Sequence, residues 1–267
     1  MGKYIFSGES CTQGITYLSG RSLENGRIYR WEPLATRLRG DEAAHFRRKG
    51  ENRGRLLTSL PQEAGILKVE GPITYRSHTL LGWEALSGEP LFNNFSSEIT
   101  VEEGIKKLEP LLNSYRLYHR LGLTVGNPDW KRLYLGEKGV FTPDPFLLNY
   151  LASPMLLLPP GLLACYPPEV YTGKPLDEKA DMFFLGLIIY LLLTANLPYP
   201  LLKGWPTEAL LKGKIISPTD FRPELHPDLV QKMERMLSPD PKERPSSEAL
   251  GEFWQQAKKL VDHSAQE

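Results

Sequence analysis

Cysteine is scarce: the chain has only two, Cys11 and Cys165, 154 positions apart. They form no CxxC or metal-ligand spacing, so one lightly exposed thiol and one buried thiol are expected rather than a disulfide. Net charge is lacking too, with 32 Lys+Arg against 32 Asp+Glu. A neutral chain has no global attraction for nucleic acid or for an anionic membrane, and neither is expected as a partner. Long apolar runs are absent. The longest, Met182–Ala195, covers 14 residues and includes Gly186 and Thr194. A bilayer crossing needs roughly 20, so a buried helix is expected there. Met1–Phe6 has no signal-peptide core, and Phe6 stands where myristoylation needs Ser or Thr. A cytoplasmic protein is expected.

What is present is an ordinary core-forming composition. With 267 residues, 41% of them hydrophobic, the chain can form one large domain or two lobes sharing a cleft, and a disordered chain is excluded. Short β-type stretches cover Lys3–Phe6, Ile15–Leu18 and Arg27–Trp31, with Asn25-Gly26 as a hairpin signal. Further strands are expected at Ile66–Val69 with Ile73–Tyr75, and at His78–Trp83. Residues 41–60 read as a helix opening on Asp41-Glu42, weakened by Gly50 and Gly54 at about 1 kcal/mol each. From Thr100, a plausible N-cap, apolar residues recur at helical spacing over Glu102–Leu121. A loop with one short hairpin, a Pro-rich segment and helices at 179–195, 206–212, 226–237 and 246–262 follow. The expectation is an α+β chain with a small strand-rich part and a larger helical part.

Three landmarks then occur in order: Ala164-Cys165-Tyr166-Pro167-Pro168-Glu169, Asp181-Met182-Phe183-Phe184-Leu185-Gly186, and Asp240-Pro241-Lys242-Glu243-Arg244-Pro245-Ser246. They resemble the C-terminal lobe of eukaryotic-type (Hanks-type) protein kinases. Pro168-Glu169 is similar to the Ala-Pro-Glu motif, Asp181 and Gly186 to the large central helix, and Arg244 to the arginine that pairs with that glutamate. A buried Glu169 needs such a two-pronged cation. The resemblance implies a bilobal kinase-like fold over residues 1–267. A β-rich N-lobe with one main helix would occupy 1–86, and the hinge with an α-helical C-lobe 87–267. Glu169, Asp181 and Arg244 are its expected structural residues.

The same resemblance exposes a degenerate active site. Phosphoryl transfer requires a Gly-rich loop, a strand lysine, a catalytic-loop Asp and Mg²⁺ ligands. Gly8 fits the first loop glycine, but Ser10 and Gln13 replace the others. The strand lysine is replaced by Trp31 or, with a one-residue shift, by Arg30. Glu51 is the nearest candidate for its helix partner. Asn127 stands for the base Asp, Val125 for the structural His, Asp129 for the loop Lys and Arg132 for the Mg²⁺-binding Asn. An amide is a poor base near pH 7, and a cation repels Mg²⁺. Asp144, between Pro143 and Pro145, is the poor counterpart of the metal-binding Asp. Trp83 and Trp31 would occlude the adenine pocket. Gly8, Arg30 and Asp144 are the weak candidates for cofactor contact.

The implied function is a pseudokinase: a catalytically inactive regulatory or scaffolding module whose partner is another protein, an active kinase or its substrate. No catalytic residue, metal or cofactor is expected. The alternative is a diverged enzyme or nucleotide sensor that still binds ATP, with or without Mg²⁺. Two surfaces are open to either a solvated or a partner-binding role: the basic stretch 37–55 and the apolar run Leu156–Pro160 with Leu162-Leu163. His119, at a helix end, is expected to cap or pack.

Overall fold

The longer strands precede residue 85 and the longer helices follow residue 100, and the chain divides into two compact units, Met1–Gly88 and Glu89–Glu267. The computed structural model describes residues 3–12, 15–33, 48, 51–52, 54–61, 67–76, 78–85, 89–91, 99–125, 133–137, 139–141, 166–174, 176–199 and 207–264. The architecture is α+β.

The first unit holds a five-stranded antiparallel sheet. β1 (Tyr4–Thr12), β2 (Ile15–Ser22), β3 (Ile28–Pro33), β4 (Val69–Tyr75) and β5 (His78–Glu84) lie in the order β1-β2-β3-β5-β4. Asn25-Gly26 forms the β2–β3 turn, with Gly26 at φ 71° and Asn25 Oδ1 accepting the Arg27 N–H at 2.9 Å. β1 runs well past the expected Phe6. Pairing with β2 outweighs the weak strand preference of Gly8 and Ser10, and a bulge between Phe6 and Gly8 absorbs the irregularity. Val69 and Ile73–Tyr75 belong to one strand, interrupted by a register shift between Glu70 and Ile73.

A short helix, α1 (residues 54–59), precedes β4. Residues 48, 51 and 52 are also helical, and 41–47, 49, 50 and 53 of the expected helix lie outside the described residues. Gly54 is more than a weak point in it. A methyl there would stand 2.5 Å from Leu81 Cδ2, so the glycine permits the approach of helix to strand.

Residues paired across antiparallel strands share a face. Tyr29, Trp31 and Leu80 form a buried cluster on one face, enclosed by Tyr4, Phe6, Leu18, Ile73 and Tyr75. Phe6 and Tyr75 come from the two outermost strands, and their ring centroids are 4.4 Å apart. Tyr4 donates to Glu70 Oε2 at 3.0 Å, and Tyr29 to Glu70 Oε1 at 3.3 Å. The sheet therefore curls until its edges meet around Trp31. Burial, aided by Glu70, holds the Tyr4 phenol well above its ordinary pKa, so it remains a donor.

The second unit begins with a small antiparallel sheet of β6 (Glu89–Pro90), β7 (Tyr134–Gly136) and β8 (Gly139–Phe141), ordered β6-β7-β8. Its helices are α2 (Val101–Arg120), α3 (Pro168–Tyr171), α4 (Glu178–Thr194), α5 (Thr207–Leu211), α6 (Pro227–Met236) and α7 (Ser247–Ser264). Thr100 caps α2 by accepting the Glu103 N–H at 3.1 Å, and Asp177 caps α4 through Lys179 and Ala180. α4 is apolar around its whole circumference and buried from Ala180 to Thr194. It packs against α2 and α6, and Gly186 admits Met236 and Leu237 at close range. No described helix is long and apolar enough to cross a membrane.

The packing around Trp31 generates a prediction. A methyl at Gly82 would lie 2.7 Å from Trp31 Cε2, inside a cluster with no room to move, whereas a methyl at Gly8 meets nothing within 4 Å. Gly82→Ala is expected to lower unfolding free energy by about 1–3 kcal/mol and Gly8→Ala to change it by less than about 0.5 kcal/mol. Urea denaturation of both variants measures the difference.

Candidate functional site

The second unit contains a buried ion pair that joins distant parts of the chain. Glu169 lies in the first turn of α3 and Arg244 ends the 3-10 turn Pro241–Glu243. Arg244 Nη1 donates to Glu169 Oε1 at 2.6 Å and Nη2 to Oε2 at 3.0 Å. Arg244 is 1% exposed and Glu169 6%, so both charges have left water. The remaining guanidinium protons are used as well: Nε donates to Ser238 O at 2.8 Å and Nη1 to Lys179 O at 2.9 Å. The ring of Phe183 lies under the guanidinium at 5.0 Å. A planar fork with five donors is what this arrangement requires, and lysine does not supply it.

Asp181, in the first turn of α4, is fully buried and makes the second tie. Its Oδ2 accepts the backbone N–H of Val125 at 2.8 Å and lies 2.7 Å from His119 Nε2. A carboxylate oxygen accepts, so Nε2 carries the proton. His119 comes from the last turn of α2, its ring edge-on to Tyr115 with centroids 6.2 Å apart. Its Nδ1 is 3.5 Å from Glu178 Oε1. Glu178 in turn accepts the Ser247 N–H at 3.3 Å at the start of α7. Burial first, then the Asp181 charge, pushes the Tyr115 phenol well above its ordinary pKa. The expected packing role of His119 is thus a specific one: it binds α2 to α4. Asp181 thereby fixes the backbone at Val125.

In the first unit, strand register separates Arg30 from Trp31. Arg30 pairs with Trp83, and Trp31 with Gly82. Leu81 approaches α1 at Gly54, and Thr79 donates to Glu51 Oε1 at 3.4 Å. Thr79, Leu81 and Trp83 alternate onto one face, so that face carries the helix, with Arg30 and Glu32 opposite Trp83 and Leu81. Arg30, rather than Trp31, shares a face with the helix, and its guanidinium lies 5.2 Å from the Tyr17 ring centroid. The expectation that Trp31 blocks a pocket on that face is corrected: it belongs to the aromatic cluster on the other face. Trp83 is buried on the helix-bearing face. Sequence reading missed Glu32, which period-two alternation from Arg30 would have found.

Gly8 sits in β1 opposite Ser19, and pairing continues out to Thr12 opposite Ile15. Asn127, Asp129, Arg132, Asp144, Cys165 and the apolar run 156–163 lie outside the described residues. Among the described residues no cluster of His, Cys, Asp and Glu could hold a metal ion.

Known proteins give this geometry a context. The chain is 33% identical over 100 residues to the serine/threonine-protein kinase STY46 of Arabidopsis thaliana, a match covering 38% of this chain and 17% of that one. It is 32% identical over 113 residues to the serine/threonine-protein kinase PknD of Chlamydia caviae, covering 42% of this chain and 12% of that one. Calcium-dependent protein kinase 11 of Arabidopsis thaliana matches at 24% identity over 233 residues, covering 79% of this chain and 43% of that one. The chain therefore spans less than half the length of these curated relatives. No family model matches it. The chain is related to the protein kinase-like superfamily, and its α+β fold agrees with that relationship.

Removing one partner of the Arg244 pair strands the other charge in the interior. Arg244→Met is expected to cost about 3–5 kcal/mol of stability. Arg244→Lys is expected to cost a substantial part of this, because an ammonium cannot serve both carboxylate oxygens and the carbonyls at once. Guanidinium unfolding measures both; a loss below about 1 kcal/mol for Arg244→Met contradicts the assigned role.

Proposed function

We propose that this chain is a catalytically inactive kinase-like domain, a pseudokinase, acting as a regulatory or scaffolding module for another protein. The observation that carries the reading is the tie from Asp181 to Val125. The backbone is anchored where the catalytic loop begins, yet the residues that follow have the wrong chemistry. Asn127 offers an amide where a carboxylate base is required, and Arg132 a cation where Mg²⁺ needs a ligand. β3 contains no lysine, and the helix-bearing face combines Arg30 with Glu32 and Glu51, whose charges oppose a phosphate. Each lost electrostatic contribution is worth about 3–4 kcal/mol in such chemistry, so their joint loss leaves little turnover.

The proposed partner is an active kinase or its substrate, engaged through surface rather than through ATP or Mg²⁺, and the proposed setting is the cytoplasm. A nucleotide-binding reading draws on Arg30, half-buried on the helix-bearing face. Trp83, buried across the pair from it, weighs against that reading.

Incubation with radiolabelled ATP and Mg²⁺ tests the proposal. Neither the chain nor a general acceptor protein is expected to gain label above an enzyme-free blank. Mg²⁺-dependent labelling that disappears in Asp144→Ala overturns it.

A further inference from the structure

We propose that Thr58 is a phosphorylation site for an external, arginine-directed serine/threonine kinase. Thr58 closes the run Arg53-Gly54-Arg55-Leu56-Leu57-Thr58, with arginines three and five residues before the hydroxyl, and Arg47, Arg48 and Lys49 lie further upstream. A kinase whose peptide groove is lined by carboxylates reads such a run through guanidinium forks.

Exposure then selects one hydroxyl. Among the described residues, Thr79, Ser238 and Ser247 also follow an arginine by three positions. Thr79 is half-buried and donates to Glu51. Ser238 is half-buried, precedes Pro239 and accepts the Asp240 N–H. Ser247 is buried, and its arginine, Arg244, is committed to Glu169. Thr58 and Arg55 are both exposed.

The local structure suits modification. Thr58 is the next-to-last residue of α1, and its hydroxyl donates to Arg55 O at 2.9 Å. Helix ends open first, and Gly54 weakens this short helix further. Leu57 and Leu60 are buried on either side, so opening must release them; the native chain is a slower substrate than the unfolded one. Transfer breaks the bond from the γ-phosphorus of ATP to its β,γ-bridging oxygen and forms one to Thr58 Oγ1. ADP leaves, and the hydroxyl proton passes to the external kinase's carboxylate base. The product places nearly two negative charges at a helix C-terminus, where the dipole opposes them. Arg55, which now donates to Asn52 Oδ1 at 3.3 Å, is one turn away and able to pair with the phosphate. The modification thereby lowers the positive charge of the basic stretch.

The test incubates the full chain with Mg²⁺-ATP, with and without a purified arginine-directed kinase, and maps phosphate by mass spectrometry. Phosphate is expected at Thr58 only with the kinase. Labelling should vanish in Thr58→Ala, fall about tenfold in Arg55→Ala, equivalent to one lost charge-assisted contact, and persist in Ser59→Ala. Unchanged circular dichroism confirms that each variant folds. Phosphate only at other residues overturns the proposal, as does labelling of Thr58 in heat-denatured but not native chain. Labelling of Thr58 with ATP alone overturns the external-kinase assignment.

Discussion

The second unit depends on one buried contact, the two-pronged bond between Arg244 and Glu169. Neither group tolerates the interior alone, and moving each out of water costs several kcal/mol. The cost is offset because both carboxylate oxygens are served, backbone carbonyls take the other guanidinium protons, and Phe183 lies beneath the charge. The two residues stand 75 positions apart. One contact thus locks α3, the start of α4 and the turn before α7 into a single arrangement. Lys179 completes it by donating to Arg244 O at 2.7 Å.

Asp181 extends this frame by one step, from helix to loop. It holds Val125 by its backbone N–H, a contact any residue except proline can make. A scaffold that grips the chain by its backbone places no demand on the side chains that follow. The frame can therefore stay complete while the residues after it carry other chemistry, and this physical independence underlies the proposed function. A regulatory surface needs a stable shape and accessible contacts. It does not need a base, a metal or a lysine.

Much of the fold was legible in local chemistry. Asn25-Gly26 specified a tight turn and Thr100 a helix start, because both act within a few residues of themselves. The resemblance of the segments around Glu169, Asp181 and Arg244 to protein-kinase motifs pointed to the buried frame. What was illegible depended on register or on distant packing. Trp31 and Arg30 differ by one position, and a one-residue slip exchanges the faces of a strand. The bulge near Gly8 and the shift after Glu70 are pairing features that periodicity does not carry. Gly54 read as a helix weakness because Leu81, its reason for being small, lies 27 positions away. His119 read as packing because its partner Asp181 is 62 residues distant.

The central claim is that a kinase-like frame has been kept without a working nucleotide site. A thermal-shift titration with ATP and ADP, each with and without Mg²⁺, tests this most directly. A ligand at 100 times its Kd stabilises the folded state by about 2.7 kcal/mol, several degrees in melting temperature for a chain of this size. The account predicts no shift with either nucleotide up to millimolar concentration. A saturable, Mg²⁺-dependent rise would contradict it.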